Sequence, residues 1–139
     1  MDEARFKEAS RHLNPLPCPF EKAILSRRWS CQQARRIHIA EREVVGCARE
    51  EAQRRCADYL SLLLEKARFV LKHAPGEALP HGKALRLQEG GLSALEAMMG
   101  ARDIDALLNM ALEHYGGLEA LPFETLVRGI ARCRGRRRA

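Results

Sequence analysis

Apolar positions along this chain recur mostly at helical spacing. The clearest stripe is Cys56, Tyr59, Leu60, Leu63, Ala67, Val70 and Leu71, which predicts a long helix over about 48–73, ended by Pro75-Gly76. A second stripe, Ile104, Leu107, Leu108, Ala111, Leu112 and Tyr115, follows the N-cap candidate Asp103 and stops at Gly116-Gly117. Shorter helices are expected over 2–13, over 19–29, over "SALEAMM" with Ser93 as cap, and from Pro122 onward. Ser30 is a good N-cap and Gly46 a good terminator, so "CQQARRIHIAEREVV" between them also reads as a helix. Residues 75–91 carry two prolines and four glycines, which predicts a long loop around "KALRLQ".

These elements predict an all-α fold. Five to seven helices would pack around the 56–71 and 104–115 segments as one domain over 1–131, with an arginine-rich tail over 132–139. Composition agrees, because Leu and Ala are plentiful while aromatic and β-branched residues are scarce. A chain of 139 residues can bury one core. No apolar run approaches the ~20 residues that span a bilayer, and the charged N-terminus is unlike a signal peptide. A cytoplasmic protein is therefore expected.

The net charge of +6 changes little once it is located. Six arginines and no acid fall from Arg128 to the end; without them eighteen basic residues face eighteen acidic ones. The excess is a basic tail on a neutral domain. Arg132, Arg134, Arg136, Arg137 and Arg138 could neutralise phosphates or dock on an acidic protein, but no aromatic platform for bases lies nearby.

The candidate chemistry lies in the cysteines. Four of five, Cys18, Cys31, Cys47 and Cys56, fall in the first half of the chain. In a reducing compartment, clustered thiols suggest metal before disulfides. Their spacing, Cys18-x12-Cys31-x15-Cys47-x8-Cys56, contains no Cys-x-x-Cys pair, and wide irregular spacing suits an iron–sulfur site better than a zinc ribbon. Each also has an ordinary reading. Cys56 fits the apolar stripe of its helix as an inert buried thiol. Cys18 precedes "PFEKAIL" as Leu121 precedes "PFETLV", where an apolar residue packs onto the helix it introduces. Cys31 would sit in a first helical turn, whose dipole favours a thiolate, and Cys47 follows a capping glycine. Geometry sharpens the choice. A straight helix over 31–46 would hold Cys31 and Cys47 about 24 Å apart, at 1.5 Å per residue. A shared centre requires that helix to break, at Gly46 or at "RIHI", whose β-branched residues are weaker helix formers. A helical hairpin turning at Cys47 would instead set His38 opposite Cys56.

The segment "NPLPCPFEKAILSRRWSCQQARRIHIAERE", with Cys47, Cys56 and "EKARFVLK", resembles a group of small uncharacterised proteobacterial proteins with cysteines at similar positions. The resemblance covers about half the chain and extends loosely through "PHGKALRLQEGGL" to "LPFETLVRGI". It implies that the thiols belong together, and it implies no activity. It also leads one to expect a cysteine at position 89, where this chain has Glu89.

Other chemistry is poorly supported. The five histidines are scattered, and the Glu41/Glu43 and Glu50/Glu51 pairs with their neighbouring arginines read as solvated helix faces. "QEGGLSAL" lacks the lysine and glycine pattern of a phosphate loop. The expectation is a non-enzymatic accessory protein holding an iron–sulfur cluster, or zinc as the alternative, through Cys18, Cys31, Cys47 and Cys56. It would act with a protein partner in electron transfer, redox sensing or complex assembly. The rival is a metal-free helical adaptor using its arginine tail.

Overall fold

The computed structural model describes residues 2–134, in the order α1 (Glu3–Leu13), α2 (Glu21–Leu25), β1 (Ala34–Ile39), β2 (Arg42–Cys47), α3 (Glu50–Leu71), α4 (His81–Met99), α5 (Ile104–Tyr115) and α6 (Phe123–Arg132). A single 3-10 turn, Leu118–Ala120, precedes α6. Arg136, Arg137 and Arg138 lie outside the described residues. Of the other tail arginines, Arg132 closes α6 and Arg134 follows it, exposed.

The all-α expectation is overturned. Helices hold 62% of the described residues, but β1 and β2 form an antiparallel sheet, so the architecture is α+β. The correction falls on "CQQARRIHIAEREVV", expected as one helix and folded as a hairpin. Ile39 pairs with Arg42, leaving Ala40-Glu41 as a two-residue turn in which Ala40 adopts a left-handed φ of 55°. That conformation costs a non-glycine residue about 1 kcal/mol.

What outweighs it is burial on both faces. Val44 packs with Phe6 of α1 and Ile39 on one side, while Val45 enters the main core on the other. Adjacent residues can face opposite ways only with the period of two of a strand. Arg42 closes the α1 side, its guanidinium 3.6 Å from the Phe6 ring centroid and 3.0 Å from the Glu3 carboxylate.

A second correction concerns 75–91. Most of that glycine-rich segment is the first half of α4, and Ser93 lies inside the helix rather than at its cap. Gly90 and Gly129 let α4 and α6 cross closely: a Cβ at Gly90 would strike the Ile130 backbone, and one at Gly129 would strike Ala94. Each interior glycine costs a helix about 1 kcal/mol, which this close packing offsets. The expected helix over 19–29 is also shorter, only α2, and its early backbone N–H at Ala23 donates to the buried Gln88 Oε1 of α4 (3.0 Å).

The main core runs along α3, where Tyr59, Leu63 and Ala67 are fully buried against Leu92, Leu107, Leu126 and Ile130. Tyr59 stacks on Phe20, with ring centroids 6.2 Å apart, and its hydroxyl donates to Gly91 O (3.3 Å). Among the described residues, no helix is long and apolar enough to cross a membrane.

A four-cysteine candidate metal centre

The hairpin decides where the cysteines go. β2 ends in Cys47, and its free edge pairs with the extended segment 16–18. The Cys18 N–H donates to Val45 O (2.9 Å) and the Cys47 N–H to Leu16 O (2.7 Å), which sets Cys18 beside the end of β2. Gly46 makes this approach possible, because a Cβ there would collide with the Asn14 side chain. Asn14 is itself buried and donates from Nδ2 to Val45 O (3.1 Å).

Cys31 arrives from the other side of the hairpin. Ala34, opposite Cys47 in the register, donates its N–H to Cys31 O (3.0 Å). The start of α5 anchors the same loop: Ile104 N–H donates to Ser30 O (2.9 Å), and Gln32 N–H donates to Asp103 Oδ1 (2.6 Å). Cys56 comes from the buried face of α3. All four cysteines line one pocket, together with Phe20, Gly46, Ala52 and Arg55. The cavity between them is small, about 10 Å³. Of the remaining chemistry-bearing residues, Cys133 follows α6 against Gly90, and His38 pairs with Glu43 in the hairpin.

Burial favours the protonated thiol at Cys18, Cys31 and Cys56. Burial pushes Cys18 up to about 12, against a partial opposing pull from the Phe20 backbone N–H. Cys56, Cys31 and Cys47 add to the rise, since each negative charge nearby resists another. Burial likewise raises Cys31 and Cys56; backbone N–H groups of Gln33 and Asp105 counter it at Cys31, and Arg55 counters it at Cys56. None of the cysteines is disulfide-bonded.

A stability consequence follows. A thiol held above its ordinary value of 9.0 when folded ionises first in the unfolded chain. The metal-free protein should therefore keep full stability below pH 9 and lose it progressively as pH rises towards about 12. Urea midpoints measured across that range check this; a flat profile would contradict the burial of Cys18.

Two polar residues that the sequence reading passed over complete the site. Arg55 follows the Glu50/Glu51 pair, where a solvated helix face is expected, and its neighbour Arg54 does pair with Glu50 in the open. Arg55 is instead only 14% exposed, and it meets Asp105 Oδ1 (2.8 Å), Asn109 Oδ1 (2.7 Å) and Cys56 Sγ (3.4 Å). Asp105 also accepts from Gln32 Nε2 (2.6 Å) and Gln33 Nε2 (3.4 Å). Burial works against the Asp105 carboxylate, but these donors hold it below the usual range. The available signal was adjacency: Arg55 is next to a cysteine on a helix whose apolar stripe begins there.

Position 89 lies elsewhere. Glu89 is buried on α4 and paired with Arg28, beside a different cavity that includes Arg134. Its exchange for a cysteine would not extend the pocket.

Among the described residues, no group of three or more His, Cys, Asp or Glu side chains is arranged to hold a single ion. The cysteines border a common space without converging on one point. Comparison with protein-family models, curated proteins and solved structures found no match.

Proposed function

We propose that the protein is a small accessory protein that holds an iron–sulfur cluster through Cys18, Cys31, Cys47 and Cys56. The observation carrying this reading is that four thiols from four separate segments line one pocket. Burial without a partner charge penalises a thiolate at Cys18, Cys31 or Cys56. A positively charged centre removes that penalty by taking the thiolates as ligands.

A cluster suits the site better than zinc. Zinc needs its sulfurs within about 2.3 Å of one ion, whereas a cluster spreads its ligands around a larger body. The wide, irregular spacing of the cysteines along the chain, with no Cys-x-x-Cys pair, also favours a cluster over zinc. When bound, such a group supplies one-electron chemistry. The chain's contribution is the low-dielectric pocket, the ligands and the Arg55 contact. The protein would work in a reducing compartment such as the cytoplasm, passing or sensing electrons with a protein partner.

The decisive experiment is anaerobic purification with iron, sulfide and zinc analysis and an absorption spectrum. Stoichiometric iron and sulfide with charge-transfer absorption are expected. Colourless protein without iron, which stays so after iron and sulfide reconstitution, would eliminate the reading. Stoichiometric zinc in place of iron would replace it by the zinc alternative.

A further inference from the structure

We infer that Arg55 is a positioning residue that raises the reduction potential of the iron–sulfur centre by directing its guanidinium at Cys56; this rests on the cluster reading above. The side chain is held for that purpose. Asp105 and Asn109 both grip Nη1, at 2.8 and 2.7 Å, which leaves Nη2 pointing at Cys56 Sγ from 3.4 Å. Nε is buried and has no hydrogen-bond partner among the described residues. A solvated arginine would satisfy all its donors in water; this one is committed to the pocket wall.

The order of charges sets the sign. The guanidinium donates directly to the Cys56 sulfur from Nη2, while its counter-ion Asp105 is held on Nη1. One-electron reduction, by dithionite in the test, adds one negative charge to the centre and its thiolates; no covalent bond forms or breaks. A nearby N–H donor and positive charge favour the more negative state, and in a low-dielectric pocket that preference is weakly screened. Hydrogen bonds to cluster sulfurs are among the recognised determinants of potential.

Asp105 has a second part in this arrangement. Its carboxylate gathers Gln32 and Gln33, the two residues after Cys31, while gripping Arg55 beside Cys56. One carboxylate therefore ties the Cys31 loop to the Cys56 helix and keeps the guanidinium aimed.

The test compares the cluster-loaded wild-type protein with Arg55→Gln, Arg55→Lys and Asn109→Ala in anaerobic dithionite titrations. Arg55→Gln should lower the midpoint so that the reduced-to-oxidised ratio at a fixed potential falls about tenfold, equal to about 59 mV for a one-electron couple. Arg55→Lys keeps the charge but not the planar fork, so it should fall between the two. Asn109→Ala removes one of the two acceptors that grip Nη1, so it should lower the midpoint by less than Arg55→Gln does. Unchanged potential in loaded Arg55→Gln would overturn the inference. So would folded Arg55 variants, judged by circular dichroism, that fail to load while wild type loads, since Arg55 would then serve assembly of the site alone. A wild-type protein that never takes up a cluster is a different outcome, and it defeats the parent reading instead.

Discussion

Cys56→Ser is expected to leave the anaerobically purified protein with almost no cluster iron while the chain stays folded. Cys56 is 6% exposed and comes from the buried face of α3. Serine is nearly the same size but keeps its proton at neutral pH and is a far poorer ligand for iron. The fold should lose no more than about 1–3 kcal/mol, the cost of a buried hydroxyl without a good partner. Iron and sulfide per chain, read beside a urea unfolding curve, separate the two effects. Cys133→Ser serves as the contrast, since that residue does not line the pocket and should leave iron content unchanged. Equal iron in both variants would remove Cys56 from the ligand set.

Gly46→Ala should damage stability and site together. The new methyl would push against the Asn14 side chain and crowd Leu16 O, the acceptor of the Cys47 N–H. Overpacking of this kind costs about 1–3 kcal/mol. If Asn14 swings away, its buried amide loses Val45 O, adding about 1–3 kcal/mol. The segment 16–18 must then move off β2, carrying Cys18 away from Cys47. A urea midpoint well below wild type, with a matching fall in iron content, is expected. Wild-type stability would mean that segment 16–18 is not seated against β2.

The parts of the fold that could be read in advance are those whose signals are local. The α3 stripe and the α5 stripe both packed as their spacing implied, and Asp103 does cap α5, its carboxylate accepting from Ala106 N–H (2.9 Å). The hairpin was hidden because its local signals conflict. Ser30 and Gly46 resemble helix caps, and the turn uses Ala40-Glu41 instead of the glycine or asparagine that normally marks a two-residue turn. Ile37, Ile39, Val44 and Val45 carried the strand signal, but their weight depends on there being a core on each side. Likewise Gly90 and Gly91 look like loop residues until α6 and Tyr59 lie against them.

Residue order alone was enough to name the four cysteines and to state the condition for their meeting, namely that 31–46 must not be a rod. Whether the condition holds was beyond it, because helix or hairpin at that segment is settled by burial against α1 and the main core, both remote in the chain. Arg55 and Asp105 belong to the same class. Their charges are visible in the letters, but a buried guanidinium differs from a solvated one only through what the folded chain packs around it.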